Sequence, residues 1–598
     1  FRSPLQVMNI HVSKKPRLQV ARRLLHLLTA RERAQLLGVV VMAVINVCLE
    51  TVGFGIVFAV SAAVVGDDSF GSSGIVPAFL EARGRVGTAV FMMGSLVAIF
   101  ALKHALTLVF AWFQFGLLNR IGARVSHHLF SVLLAKPFGF FGRYGTPDLI
   151  VRSQSAGLIG SGIIGPSLTL FVDVLVGLAL LGLLLTVDPI STAIIGILFA
   201  LFGLTFYRSF RARLATWGTD QVEARTRSLR LLQDGFQGVK ELRILGRQDA
   251  ILSQYRRTYD RLGRLNQLFL SAQNVPRSAL ELLSIVGISL MIVGQTVRGE
   301  RGTEILPVVA LFAAGAFRIA PSVNRVLTAI QQVQFSVPAL AQIMDDLTSP
   351  SPDTSRRRVR GPQMRFESLI FENVSFSHED SNASVIEDFS LEIRRGESLG
   401  VFGESGVGKS TLVDLALGLL TPTKGQIFLN GLPLSQQLAE WHAIVGYVPQ
   451  SVFVIDDSIR ANVALGLTPE EVDDRLVRRA LRAAQLEDFV NGLPSNLDTV
   501  VGERGARVSG GQLQRLGIAR ALYHVPEVLF LDEATSALDP ETEDALLDEI
   551  DQIREHATLV FVTHRSSSLR VCSRTVKLSR YRSKSETAPF LDSKRRDT

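Results

Sequence analysis

Residues 398–420 read SLGVFGESGVGKSTLVDLALGLL. A short apolar run, Ser398–Phe402, leads directly into Gly403-Glu404-Ser405-Gly406-Val407-Gly408-Lys409-Ser410-Thr411, and apolar residues at helical spacing follow. This is G-x-x-x-x-G-K-[ST] in the strand, loop, helix setting that the motif needs. Its glycines let the chain curl so that successive backbone N–H groups point at phosphate oxygens, and the helix adds its positive N-terminus. Lys409 is then placed to reach the β- and γ-phosphates of a nucleotide, and Ser410 to ligate Mg²⁺. The bland alternative, a glycine-rich turn with a chance lysine, does not explain the strand and helix on either side.

Around this loop, short β-rich runs such as VLFLD alternate with helical patterns such as QLQRLGIARALYH, which reads as an α/β domain with a largely parallel sheet. Val528–Glu533 ends in two adjacent carboxylates, Asp532 and Glu533, at the strand edge where open α/β sheets bind ligands. Asp532 suits Mg²⁺, and Glu533 can polarise a water that attacks the γ-phosphate. Such a pair can also merely cap a helix.

Upstream the character changes. The chain has 598 residues, too many for one core, with 47% apolar residues but a mean hydropathy of +0.28. Leu36–Val65 (LLGVVVMAVINVCLETVGFGIVFAVSAAVV) carries one charge, Glu50, and exceeds the roughly 20 residues that a spanning helix needs. It is too long and too internal for a cleaved signal peptide. Further spans are expected at Ala89–Phe115, Ile164–Val187, Ile190–Phe206, Ala279–Val297 and Ile305–Val323, six in all. The expected division is a basic N-terminal segment 1–35, a helical membrane domain 36–344, a linker 345–365 rich in Pro, Ser and Arg, an α/β domain 366–578 and a polar tail 579–598.

The net charge of +8 allows nucleic acid, a membrane surface or topology signals as its cause. Lys and Arg alternate with the spans, which favours topology over nucleic acid. The N-terminal flank (Lys14, Lys15, Arg17, Arg22, Arg23, Arg31, Arg33) and the connections holding Arg120–Arg152 and Arg208–Arg243 should face the cytoplasm. Gly66–Thr88, Asp188-Pro189 and Arg298–Glu304 should face outward, leaving both termini and the α/β domain cytoplasmic. The two long basic connections lack proline over much of their length and read as helices continuing into the cytoplasm, turning at Pro147–Ile150 and Gly235–Lys240. Two cysteines, Cys48 and Cys572, exclude a disulfide scaffold or multi-thiolate metal site.

Between the phosphate loop and Asp532 lies Val508-Ser509-Gly510-Gly511-Gln512, ahead of LQRLGIARAL. This is similar to the LSGGQ signature of the ATP-binding cassette (ABC) family, with Val508 in place of Leu. The resemblance implies ATP and Mg²⁺ as ligands, and a signature loop that completes the nucleotide pocket of a second copy of the domain; one cassette per chain then implies a homodimer. Gln450 resembles the Q-loop glutamine that touches Mg²⁺, His564 the switch histidine at the γ-phosphate, Ser536–Asp539 the D-loop, and Thr499–Gly505 the X-loop of exporters. His378 stands where the family usually has the tyrosine that stacks on adenine.

Six spans ahead of one cassette resemble an ABC exporter half-transporter: an all-α six-helix transmembrane domain of the type IV exporter kind followed by an α/β P-loop nucleotide-binding domain. Glu50–Gly55 and Phe317–Arg325 are similar to bacterial lipid-linked oligosaccharide flippases of the PglK type. That resemblance implies a lipid-linked saccharide as substrate and the bacterial inner membrane as location. Phe70–Ala82 resembles their short external helix, or is an ordinary amphipathic loop. Ionisable residues at membrane depth favour a cavity over lipid, which nominates Glu50, Lys103, Asp173, Glu281 and Arg318, with Lys103 and Arg318 suited to an anionic head group. Pairing among themselves is the competing account. An exporter of peptides, lipids or hydrophobic compounds, and an ATP-gated channel, are the alternative functions.

Overall fold

The structure is a computed structural model. It describes residues 27–65, 84–187, 189–297, 302–349, 364–378, 383–502, 505–554 and 556–579. The segments 1–26, 66–83, 350–363 and 580–598, and with them Phe70–Ala82, most of the linker and nearly all of the tail, lie outside the described residues. So do the side chains of Glu50 and Arg318. The chain divides into two compact units, Phe1–Lys136 with Arg143–Pro352, and Pro137–Gly142 with Asp353–Thr598.

The helices are, in chain order, α1 (Ala30–Val65), α2 (Gly84–Leu134), α3 (Phe138–Arg143), α4 (Thr146–Leu158), α5 (Gly165–Val187), α6 (Pro189–Gln237), α7 (Val239–Ile244), α8 (Gln248–Val297) and α9 (Gly302–Ala341); all but the short α3 make up the first unit. Helix α2 has 51 residues, α6 has 49 and α8 has 50. At about 1.5 Å per residue each exceeds twice the ~30 Å hydrocarbon thickness, so these helices continue well beyond a bilayer, as their sequence suggests. Among the described residues five stretches are long and apolar enough to cross a membrane: Ala30–Leu49, Met93–Leu134, Thr146–Thr186, Thr192–Gln237 and Gln248–Gly294. The sixth expected span, Ile305–Val323, falls within α9, whose side chains before Ile319 are not described. Leu108, Trp112, Leu178, Ile197, Leu201 and Ile285 are each more than half exposed, which suits a lipid-facing surface.

One expected turn is misplaced. Pro147–Ile150 opens α4 rather than a loop, because proline is tolerated in a first helical turn; the short helix α3 comes before it in the chain, flanked by Lys136-Pro137 and Tyr144-Gly145. The other turn is where expected: α6 stops at Gln237 and α7 begins at Val239. Between α4 and α5 the chain passes through a π-helical segment, Ile159–Ile164. A Cβ on Gly160 would lie 2.5 Å from the Leu118 carbonyl oxygen, and one on Gly162 2.7 Å from Ser336 Oγ, so the absent side chains are what let α2 and α9 approach. Val176, Leu180, Leu184, Ile195, Phe199, Leu280 and Ile319 form a core, and Phe269 stacks on Phe335 at 3.9 Å further along α8 and α9.

The second unit holds β1 (Ser368–Ser377), β2 (Ser384–Arg394), β3 (Ser398–Gly403), α10 (Lys409–Ala416), β4 (Lys424–Leu429), β5 (Leu432–Pro433), β6 (Val445–Val448), α11 (Asp474–Ala483), α12 (Gly510–Leu522), β7 (Val528–Asp532), α13 (Pro540–Ile553), β8 (Thr558–Val562) and β9 (Arg574–Leu578). The expected parallel sheet is present in the order β6-β7-β8-β3-β9. An antiparallel sheet, β2-β1-β4-β5, joins it. Its strands alternate buried and exposed residues, so it covers the core on one face only. Between the sheets, Trp441 packs with Phe366 and Phe530 and donates its indole N–H to the Ala416 carbonyl at 3.0 Å. Because β7, β8 and β3 are neighbours and parallel, the residues after each strand, Glu533, Thr563-His564 and the Gly403–Lys409 loop, emerge at one edge.

Candidate nucleotide-binding and catalytic site

The loop after β3 takes its shape from Gly406 and Gly408, at φ +78° and +105°, where a side chain would strain the backbone. Val407 is buried and anchors the loop in the core, while Glu404 and Ser405 stay exposed. Lys409 Nζ donates to the carbonyls of Gly403 at 2.9 Å and Glu404 at 3.2 Å, bracing the loop across its mouth. Ser410 and Thr411 follow in the first turn of α10.

Asp532, at the end of β7, is hydrogen-bonded with the Ser410 side chain. Burial pushes the Asp532 carboxyl above its ordinary value, against the stabilising Ser410 bond, and the neighbouring Glu533 charge adds to the rise. Glu533 sits at φ +49°, an uncommon conformation for a residue with a side chain, fixed by its N–H donating to the Val562 carbonyl at 2.8 Å. Its Oε2 accepts from Gln450 Nε2 at 2.8 Å, and His564 Nδ1 lies 3.2 Å from its Oε1. The carboxylate is nearly enclosed while the imidazole is half exposed. Gln450, Glu533 and His564, far apart in sequence, are thus assembled around one carboxylate. Neither Asp532 nor Glu533 caps a following helix, since α13 begins only at Pro540.

Sequence reading missed Asp414. It lies four residues after Ser410, on the same face of α10, a spacing that could have drawn attention to it. Burial and then the Asp532 charge push its carboxyl up to about 6. Tyr447, near the end of β6, is pushed up to about 12 by burial and the same two carboxylates. The edge therefore brings the Asp532, Glu533 and Asp414 carboxylates into one another's field, a setting in which a divalent cation is welcome. Ser410 and Asp532, hydrogen-bonded to each other, form a hard-oxygen pair that fits Mg²⁺.

His378, after β1, packs edge-on against Phe376 with ring centroids 5.0 Å apart. Ser509 caps α12 reciprocally with Gln512: Ser509 Oγ accepts from the Gln512 N–H at 3.2 Å and Gln512 Oε1 from the Ser509 N–H at 2.8 Å. A Cβ on Gly511 would meet Leu538 at 3.2 Å and one on Gly510 Ala537 at 3.7 Å, so the signature residues pack on the 537–538 segment. Asp539 caps α13 by accepting from the Thr542 N–H at 3.0 Å. Of Thr499–Gly505, residues 503 and 504 lie outside the described residues.

In the helical unit Lys103 is buried on α2, with Nζ 5.5 Å from the Phe100 ring centroid. Asp173 on α5 takes a forked ion pair from Arg325 on α9, at 2.6 Å to NH2 and 2.9 Å to Nε, and Arg325 also donates to Ser322 Oγ at 3.1 Å. Glu281 does not join them. It is exposed, paired with Arg277 one turn earlier on α8 at 3.2 Å. Arg325, a further cation of the 317–325 stretch, is one that sequence reading passes over.

The model of the ABC transporter family matches residues 386–536. An ATP-dependent lipid A-core flippase of Alkalilimnicola ehrlichii is 31% identical over 351 residues, 58% of this chain and 59% of that protein. One of Cupriavidus metallidurans is 28% identical over 525 residues, covering 86% of this chain and 87% of its own. A bacterial Atm1-family ABC exporter with ATP bound shares the fold, with a TM-score of 0.75 at 20% identity over 92% of this chain and 94% of that one. The chain thus carries an ATPase domain that matches the ABC transporter family over residues 386–536, preceded by a helical domain with stretches long and apolar enough to cross a membrane, in the fold of an ABC exporter.

Proposed function

We propose that this chain is a homodimeric flippase of the bacterial inner membrane that moves a lipid with an anionic, saccharide-bearing head group, a lipid-linked oligosaccharide or a related glycolipid. The observation that carries this reading is the charge among the apolar helices: Lys103 is buried on α2, and Asp173, buried on α5, is paired with Arg325 of α9. Charge at membrane depth is costly and is retained where it meets a polar substrate or a partner, and guanidinium and ammonium groups suit a phosphate. The flippases named among its relatives support a lipid substrate. Arg318 and Glu50, nominated by the sequence alone, are proposed to take part in recognising the same head group.

In the ATPase domain, Lys409 and the loop N–H groups would bind the phosphates, and Ser410, Asp532 and Gln450 would hold Mg²⁺, which supplies neutralising charge to the phosphates when bound. Glu533, oriented by Gln450, accepts the proton of the attacking water, and His564 steadies that water and the γ-phosphate. Signature residues Ser509–Gln512 and Asp539 complete the pocket of the second chain, His378 stacks on the base, and closure of the paired domains drives the helices. The chain's nucleotide-binding domain lies on the cytoplasmic side in this reading.

The test is ATPase stimulation and flipping in proteoliposomes with lipid-linked sugars, glycolipids, phospholipids and peptides in separate arms. The reading expects stimulation by the anionic saccharide lipids, lost in Lys103→Ala with basal turnover retained. Stimulation by peptides alone would transfer the chain to the peptide-exporter class.

A further inference from the structure

The second unit buries one carboxylate that the ATPase reading leaves unused. Glu543, on the first turns of α13, is 5% exposed. Its Oε1 accepts from Thr535 Oγ1 at 2.9 Å, Ser567 Oγ at 2.9 Å and Ser568 Oγ at 3.3 Å, and its Oε2 from Arg565 at 2.8 Å. Burial raises its pKa, but the hydrogen bonds from Thr535, Ser567 and Arg565 outweigh this and hold the carboxyl below its ordinary value, so it is ionised at neutral pH.

Two of those donors adjoin the reacting groups. Thr535 lies two residues after Glu533, and Arg565 directly follows His564. Arg565 also donates to the Ser536 carbonyl at 2.7 Å, and its own N–H is held by Thr563 Oγ1 at 3.0 Å. From the other side, Gln514 of α12, itself buried, donates to Ser536 Oγ at 2.9 Å and accepts the Ala537 N–H at 2.9 Å. The segment that follows Glu533 and the segment that follows His564 are therefore tied to one carboxylate, in addition to the 3.2 Å contact between the two reacting side chains.

We propose that Glu543 is a positioning residue for ATP hydrolysis, holding Thr535 and Arg565 so that Glu533 and His564 meet at reacting distance. A carboxylate suits this role because four donors converge on it, and no apolar residue of the same volume could keep two loops in register. Burying a charge for mere packing would be a poor use of it, since a buried ion pair seldom outperforms well-packed apolar side chains in stability. The proposal rests on the ATPase reading and assigns a residue that has no place in the loop motifs.

The experiment uses the full chain in lipid nanodiscs, with kcat and KM for ATP, binding of a fluorescent ATP analogue, and melting temperature. Variants are Glu543→Gln, which keeps shape and loses charge, Arg565→Lys, which keeps charge and loses the fork, the two combined, and Asp544→Asn on the exposed side of α13 as control. Expected are a drop in kcat of about tenfold in each single variant with KM and analogue binding within about twofold, a double variant no slower than the worse single one, and an unchanged control. Should Glu543→Gln fail to fold, Arg565→Lys carries the test alone. Wild-type kcat in a folded Glu543→Gln or Arg565→Lys protein overturns the proposal, as do losses that multiply in the double variant, or a fall in analogue binding and melting temperature in step with kcat. A wild-type protein with no ATP turnover would overturn the ATPase reading itself, and this proposal with it.

Discussion

Gln450 donates its amide N–H to Glu533 at 2.8 Å, on the carboxylate oxygen that His564 does not approach. Each oxygen of Glu533 is thus claimed from a different loop, and the residue keeps a left-handed backbone at φ +49°. A strained backbone with a doubly held carboxylate is an arrangement that persists where the surrounding fold over-determines it, commonly at reacting centres.

If Glu533 is the general base, Glu533→Gln should lower kcat by about 10²–10³-fold and leave ATP binding intact, because the amide keeps the shape and cannot take a proton. Gln450→Ala should cost only about tenfold, since it frees one oxygen without removing the base. Steady-state ATPase assays beside equilibrium binding of a fluorescent ATP analogue check both. Wild-type turnover in Glu533→Gln would remove the assignment.

Asp414 makes the ATPase domain sensitive to pH. Its carboxyl titrates near 6 in the folded protein against an ordinary 3.8, so the folded state holds that proton more tightly than the unfolded chain. The stability this confers is complete below about pH 4 and is lost as pH rises through about 6, leaving a charged, half-buried carboxylate beside Asp532 at neutral pH. Asp414→Asn removes that penalty. Allowing for partial exposure, the gain should be about 1 kcal/mol at pH 7.5, a rise in melting temperature of roughly 2–4 °C, shrinking to nothing near pH 4. Differential scanning fluorimetry across pH 4–8 reads the sign directly.

How much of the molecule is legible in its sequence depends on how far apart the contributing residues lie. The phosphate loop, Asp532-Glu533 and the signature are contiguous words, and their strand-end positions follow from apolar runs on either side. The long helices follow from uninterrupted apolar and amphipathic patterning. The antiparallel sheet is not legible, because β1, β2 and β4 alternate in the way any half-exposed strand does and nothing local marks their partner. Pro147 reads as a turn because proline breaks helices, yet at a helix start it fits without loss. The Glu543 cluster and the Asp173–Arg325 pair join residues 8 to 152 positions apart, and no periodicity announces them. Arg318 draws attention in the sequence while Arg325, seven residues or about two turns further along α9, carries the described ion pair.

Close helix packing offers a third test. A Cβ on Gly218 of α6 would lie 2.3 Å from the Phe335 carbonyl oxygen on α9, and that oxygen belongs to backbone which cannot swing aside. Gly218→Val should force α6 from α9, disturb the Phe269–Phe335 stack and cost about 2–3 kcal/mol, seen as earlier loss of the monodisperse peak on heating in detergent. By contrast, nothing lies within 4 Å of the point that a Cβ on Gly263 of α8 would occupy, so Gly263→Ala should be neutral or stabilising by up to about 1 kcal/mol.

His378 gives a fourth. An imidazole offers less stacking area than a phenol, so His378→Tyr should tighten binding of adenine nucleotides by about 0.5–1 kcal/mol, two- to fivefold in Kd, with a smaller gain for nucleotides of other bases. Titration with fluorescent ATP and GTP analogues compares the two. Equal change for both bases would remove His378 from the base pocket.

The Asp173–Arg325 pair separates stability from substrate recognition. Asp173 is 6% exposed and its partner 44%, so the cost of losing one member is asymmetric. Asp173→Asn leaves a guanidinium among apolar helices with the Ser322 hydroxyl as its remaining described acceptor, which should destabilise the helical unit by about 2 kcal/mol, less than the roughly 3–5 kcal/mol seen when both partners are fully buried. Adding Arg325→Gln removes the orphaned charge, so the double variant should recover most of the melting temperature. Recovery of stability need not restore function. If Arg325 helps to attract an anionic head group, the double variant should keep basal ATP turnover yet lose stimulation by anionic saccharide lipids in proteoliposomes, the outcome also expected of Lys103→Ala. A double variant stimulated like the wild type would make the pair purely structural and leave Lys103 as the cation to which the substrate reading is anchored.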